Sequence, residues 1–154
     1  MMPPPSRAMA GAATVHLALG FSLGALVLVA KATSGASPLW LLRETHIHLL
    51  LFGWLVQFAM GVALAIFPRL ASGPPRGDPR AAWLVFWLIN TGVVSGALQP
   101  LAADGAPAVS GVMLVVAGLC DLAAIAVFAR VMWARIRTVN PVWPTNLPVM
   151  RGRP

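Results

Sequence analysis

Residues 46–67 of this 154-residue chain read HIHLLLFGWLVQFAMGVALAIF, an apolar run that opens with two histidines. A helix needs about 20 predominantly apolar residues to cross a hydrocarbon core about 30 Å thick, and this run supplies them. The chain contains three further apolar runs of similar length. The sequence therefore predicts four transmembrane helices, over residues 9–30, 45–67, 81–99 and 108–133.

The composition excludes an ordinary soluble domain. Hydrophobic residues make up 58% of the chain and charged residues only 10%, without a long polar block. Short loops separate the apolar runs, so neighbouring helices are expected to run antiparallel. The predicted fold is an all-α integral membrane four-helix bundle over residues 9–137, in contact with the lipid bilayer. A Pro-rich disordered lead (residues 1–8) precedes it, and a basic, Pro-rich cytoplasmic tail (residues 138–154) follows.

The distribution of Lys and Arg predicts the orientation in the membrane. These residues lie between or after the apolar runs and form no basic stripe, so the net charge of +7 indicates membrane topology and no nucleic-acid partner is expected. Lys31 and Arg43 lie on one side of the predicted bundle. Nine arginines lie on the other side: Arg7, Arg69, Arg76, Arg80, Arg130, Arg135, Arg137, Arg151 and Arg153. The positive-inside rule then places both termini in the cytoplasm and the two histidines near the outer face of a bacterial inner membrane.

The two histidines of the second run cannot both face the same neighbour, because residues two apart on an α-helix point about 200° apart. His46 shares a face with Gly53 and Gln57, whereas His48 shares one with apolar residues. We therefore predict that His46 faces the bundle and that His48 faces lipid. If the first helical turn were unwound, both rings would be able to chelate one metal ion, such as copper.

A cofactor pocket is predicted beside His46, because a coordinating group in hydrocarbon is a functional candidate by default. Gly53 would leave space for a flat ligand, and the Trp54 side chain would line the pocket. The alternative is that His46 only caps the helix or bonds a loop. His16 lies about 15 Å deeper by helical rise, and it is either a hydrogen-bonded structural residue or a second axial ligand of heme.

Two pairs of glycines four residues apart predict close helix packing. Gly20 and Gly24 lie on the first helix, and Gly92 and Gly96 on the third. Either face is a candidate for contact with a second copy of the chain. A homodimer through one of these two faces is one candidate arrangement.

Three polar residues near the middle of their helices predict a polar layer at the membrane midplane: Gln57, Asn90 and Asp121. Hydrogen bonds between helices explain such a layer without any function, at about 0.6 to 2 kcal/mol per contact. Asp121 is costly in hydrocarbon unless it is neutral or paired, which makes it a candidate proton acceptor or a partner of Asn90 or His16.

The motif His46-Ile47-His48, continued by Gly53-Trp54, Gln57, Met60-Gly61 and Phe67-Pro68-Arg69, resembles the second transmembrane helix of subunit I of heme-copper oxidases and nitric oxide reductases. It is also similar to the His-x-His helix of the NnrS family of heme- and copper-containing membrane proteins. The resemblance implies that the histidine at the outer end, here His46, is an axial ligand of a low-spin heme. It covers residues 46–69 only, so we do not expect a complete oxidase or reductase.

The sequence thus predicts a membrane protein that binds heme b, or alternatively copper, for electron transfer or for handling nitric oxide or oxygen. We assign no catalytic residue, because the chain has only four acidic residues and no recognisable nucleophile–base set. Two other classes remain open. One is a membrane subunit or assembly factor of a respiratory complex without its own cofactor, and the other is a small oligomeric transporter or proton channel.

Overall fold

The computed structural model describes residues 2–33, 38–67 and 78–137 and is helical throughout, apart from turns. Helix α1 spans Pro4–Thr33, α3 spans Pro79–Ala102 and α4 spans Pro107–Arg137. Helix α2 follows a 3₁₀ turn (Pro38–Leu41) and has three parts, which are an α-helical part (Leu42–His48), a π-helical part (Leu49–Val56) and a second α-helical part (Gln57–Ile66). All four helices are long and apolar enough to cross a membrane, which confirms the predicted fold class.

The helices are longer than predicted at several ends. Helix α1 begins at Pro4, so residues 4–8, which we predicted to be disordered, are helical. Proline fits there because the first N–H groups of a helix have no intrahelical partner. Helix α3 begins under an Asp78 cap, whose carboxylate accepts a 2.8 Å hydrogen bond from the Arg80 backbone N–H, and it continues through Pro100. The loop over residues 68–77 and the tail over residues 138–154 lie outside the described residues.

Helix α2 lies at the centre of the bundle. On one side it packs antiparallel to α1, with Gly61 against Met9 at one end of the seam. On the other side it meets α3 and α4, where the Thr45 hydroxyl donates a 2.8 Å hydrogen bond to the Ala97 carbonyl. Helices α3 and α4 form an antiparallel hairpin. A helix with neighbours on both sides has two buried faces, which a single hydrophobic stripe does not reveal.

The two glycine faces are both covered within the chain. A Cβ atom at Gly20 would lie 2.6 Å from Leu50 Cδ2, and one at Gly24 would lie 2.5 Å from His46 Cε1. Cβ atoms at Gly92 and Gly96 would overlap the Asp121 carboxylate and the His48 ring. Helices α2 and α4 of the same chain thus pack against these glycines, and a homodimer stays a prediction.

The outer surface of the bundle is apolar. Large side chains such as Phe21, Ile66 and Leu122 are between 62% and 72% exposed. Exposed apolar side chains at this density suit contact with lipid and not with water. The chain is thus a multi-pass membrane protein, and His16, Thr45, Gln57 and Asp121 are among its buried polar residues.

Candidate functional site

His46 lies in the seam between α1 and α2. Its ring rests where Gly24 has no side chain, and its Nδ1 lies 2.7 Å from the Gly20 carbonyl oxygen. A carbonyl oxygen can only accept, so Nδ1 carries the proton and donates. The other ring nitrogen, Nε2, therefore keeps its lone pair as the coordinating position.

A groove of about 610 Å³ adjoins His46 between α1 and α2; we call it the His46 groove. Its walls are mainly apolar and include Phe21 and Leu28. Lys31 and Arg43 also line it, and the Arg43 guanidinium lies 5.8 Å from the centre of the Trp40 ring. The groove therefore combines an apolar body, one imidazole and two cations at the predicted outer end of the helices.

His48 lies on the opposite side of α2 and does not face lipid, so that prediction is wrong. Its side chain is 20% exposed, and its ring packs over Gly96 and lies 5.0 Å from the Phe52 ring centre. Its Nε2 lies 3.9 Å from Asp121 Oδ2, which is too long for a hydrogen bond. The two histidines do point in opposite directions, but helices cover both sides of α2.

His16 occupies the space beside Gly53 that we predicted for a flat ligand. A Cβ at Gly53 would lie 2.8 Å from the ring. The buried His16 Nδ1 lies 3.1 Å from both the Gly53 carbonyl oxygen and Gln57 Oε1. Its depth beside Gly53, seven residues along α2 from His46, corresponds to a separation of about 10 Å. One iron in the His46 groove cannot therefore take both histidines as axial ligands.

The π-helical part of α2 helps to explain this contact. The Gln57 backbone N–H bonds to the Phe52 carbonyl five residues back, as in a π-helix. The Gly53 carbonyl, four residues back, lies within hydrogen-bond distance of the His16 ring instead. A π-helical turn contains more residues than an α-helical turn, so it changes the direction in which all later side chains point. A projection at 100° per residue therefore misplaces Gly53 relative to His46.

The three midplane residues do not form one network. Gln57 contacts His16, and the Asn90 side chain donates a 2.7 Å hydrogen bond to the Phe86 carbonyl on its own helix. Asp121 lies near His48, so the predicted pairing with Asn90 or His16 is wrong. Trp54 is half-buried and lines neither the His46 groove nor the groove beside Asp121.

Within residues 2–33, 38–67 and 78–137, no three histidine, cysteine or acidic side chains lie close enough together to hold a metal ion. The first turn of α2 is helical, and the His46 and His48 rings contact different helices. Chelation of one ion by both rings is therefore excluded in this arrangement.

One buried polar residue was missed as a structural element. Arg135 is 3% exposed, and its Nη1 donates a 3.0 Å hydrogen bond to the Leu64 carbonyl near the end of α2. The sequence analysis uses Arg135 only as a marker of membrane orientation. Arg135 lies 14 residues, or about four helical turns, after Asp121 and therefore on the same face of α4. This spacing predicts that Arg135 faces the bundle, as Asp121 does.

No family model, curated protein or solved structure matches the chain.

Proposed function

We propose that this protein binds heme b through His46 in the His46 groove, and that it serves electron transfer or the handling of nitric oxide or oxygen in a bacterial inner membrane. The observation that carries the proposal is the 2.7 Å contact between His46 Nδ1 and the Gly20 carbonyl oxygen. Histidines that bind metals almost always donate their other ring N–H to such an acceptor, which fixes the tautomer and the ring orientation.

The charge and shape of the His46 groove support heme over copper. Heme b is a flat apolar macrocycle with two carboxylates, and the groove offers apolar walls together with Lys31 and Arg43. Copper would favour additional nitrogen or sulfur ligands, and the described residues near His46 supply one imidazole only. A bound heme would supply one-electron redox chemistry or a position for a diatomic gas.

The sixth coordination position is predicted to be open or to be filled by another subunit. His16 is engaged by Gly53 and Gln57, and His48 lies across α2. His46 would therefore be the one imidazole of the described residues that is available to a heme in the His46 groove. A five-coordinate, high-spin spectrum is expected for the isolated chain, and a six-coordinate, low-spin spectrum would indicate a ligand from a second subunit.

The test is an absorption spectrum of the detergent-purified protein, oxidised and reduced, after expression with a supply of heme. We expect a Soret band that His46→Ala removes and His48→Ala mostly retains. A colourless wild-type protein would overturn the proposal, and if it also co-purified with a larger respiratory complex, the cofactor-free subunit would be favoured instead.

Two glycine variants test the groove without changing the ligand. Gly24→Leu places a side chain where the His46 ring now lies, so the ring must leave the Gly20 carbonyl and the Soret band should weaken strongly. The matched control is Gly11→Leu on the same helix, because a Cβ at Gly11 meets nothing within 4 Å. Equal heme content in both variants would contradict a heme held between α1 and α2.

A further inference from the structure

We propose that His48 and Asp121 form a binding site for a divalent transition-metal cation, separate from the His46 groove. A second groove of about 470 Å³ lies on the other side of α2, between α2, α3 and α4; we call it the Asp121 groove. His48 and Asp121 both line it, with Phe52 and Leu122 among its apolar walls. The heme proposal assigns no role to either residue.

The polar lining of the Asp121 groove is suited to a cation. Its polar side chains are Glu44, His48, Gln99 and Asp121, and none of the described residues that line it is Lys or Arg. The whole chain has four acidic residues against eleven basic ones, and two of the four acids line this groove. The His46 groove has the opposite character, with two cations and no acidic residue among its described lining. The two sides of α2 thus differ in charge, and a cation is expected on the Asp121 side.

Two buried atoms in this groove lack a satisfactory hydrogen bond. Asp121 Oδ1 and His48 Nε2 are both buried, and neither has a hydrogen-bond partner among the described residues. The Asp121 side chain is only 9% exposed. The Gly92 backbone also interacts with the His48 ring. Buried polar groups are normally satisfied, and in a membrane interior an unpaired carboxylate is costly, so a missing partner is indicated.

The spacing fits a shared metal ion better than a direct hydrogen bond. His48 Nε2 and Asp121 Oδ2 are 3.9 Å apart. An ion at about 2.0 to 2.2 Å from each atom requires a separation of about 3.4 Å at a tetrahedral angle, and of about 3.0 Å at the 90° angle of a square-planar Cu²⁺ site. The two atoms would have to approach by about 0.5 to 0.9 Å, which a rotation of the side chains would supply.

The glycines of α3 create the space for this pair. Side chains at Gly92 and Gly96 would overlap the Asp121 carboxylate and the His48 ring. Glu44 lies one helical turn from His48 on the same face of α2, so it is placed to contact the ion through water. Water completes the coordination, since no third ligating side chain is close enough. Binding is therefore expected to be reversible, and Cu²⁺ should bind more tightly than other divalent ions with imidazole and carboxylate ligands.

The test is a titration of the full-length protein in detergent with Cu²⁺, followed by calorimetry and electron paramagnetic resonance, after removal of any histidine tag. We expect one ion per chain, with hyperfine coupling from one imidazole nitrogen. His48→Gln and Asp121→Asn should each weaken the affinity at least about tenfold, as expected for loss of a ligand. The folded state of each variant is checked by circular dichroism and gel filtration.

Surface variants keep the test valid even if these buried variants fold poorly. Glu44→Gln should weaken Cu²⁺ binding several-fold, whereas Asp104→Asn, an exposed acid in the turn between α3 and α4 that does not line the groove, should not. His46→Ala should keep wild-type Cu²⁺ affinity even if it loses heme, which separates this proposal from the heme proposal. Absence of Cu²⁺ binding to the wild type, or its loss in His46→Ala but not in His48→Gln, would overturn the proposed site.

Discussion

At the scale of single residues, each of the three histidines lies against a glycine of a neighbouring helix. His16 meets Gly53, His46 meets Gly24 and His48 meets Gly96. An imidazole ring fits between two packed helices where one of them lacks a side chain, because helix axes then approach closely. The glycines thus decide where a polar ring can enter the bundle, and any larger residue at these positions would displace it.

His16 is expected to stabilise the packing of α1 against α2. Its loss would leave the buried Gln57 amide without its side-chain partner and would open a cavity beside Gly53. We expect His16→Ala to lower the free energy of unfolding by about 1–3 kcal/mol, measured by thermal or denaturant unfolding in detergent.

The same variant separates a structural histidine from a ligand. In the structural role, the Soret band of folded His16→Ala protein keeps the wild-type position and intensity per heme. A shift of the band to a different spin state would instead assign His16 as an axial ligand.

At the scale of elements, α2 positions both grooves because it has partners on both sides. The His46 groove lies between α1 and α2, and the Asp121 groove lies where α2 meets α3 and α4. In the last turn of α2, the Leu64 carbonyl accepts a hydrogen bond from the Arg135 side chain of α4. The last carbonyls of a helix have no intrahelical partner, so a buried guanidinium satisfies one of them and complements the helix dipole.

The element-scale prediction compares two arginines of α4. Arg135→Met removes the buried donor to Leu64 and should lower the free energy of unfolding by about 1–3 kcal/mol. Arg137→Met is the control, because Arg137 is exposed and contacts the Trp133 ring at 5.8 Å, and its effect should stay within about 0.5 kcal/mol. Equal melting temperatures for the two variants would show that the Arg135 contact does not stabilise the bundle.

At the scale of the whole molecule, four apolar helices with polar seams fit a bilayer in one of two orientations. The nine-to-two distribution of basic residues predicts that both termini lie in the cytoplasm. The turn between α3 and α4 would then lie outside, and the start of α3 inside. The fold itself is the same in either orientation.

The whole-molecule prediction is tested by cysteine labelling in spheroplasts, with Cys120→Ala as background. Asp104→Cys, in the α3–α4 turn, should react with a membrane-impermeant maleimide. Arg80→Cys, in the first turn of α3, should react only after permeabilisation. Eight basic residues would remain on the predicted cytoplasmic side, so the substitution should not change the orientation. The reverse pattern of labelling would invert the orientation and place both grooves near the cytoplasm.

The sequence by itself determined the fold class and the number of membrane spans. Both depend on properties local to each segment, since a bilayer sets a minimum apolar length and requires every backbone group to bond within its own helix. The sequence also drew attention to His46, His48 and Asp121, because polar groups are rare inside apolar runs.

Only the tertiary structure decided which neighbour each polar group meets. His46 contacts Gly20 and Gly24 of α1, whereas His48 lies near Asp121, which is 73 residues further along the chain. Such pairings depend on how helices pack and on the π-helical part of α2, and no pattern within one segment encodes them. The face assigned to His48 was wrong because α2 packs against α1 on one side and against α3 and α4 on the other, so that each of its two histidines lies against a neighbouring helix.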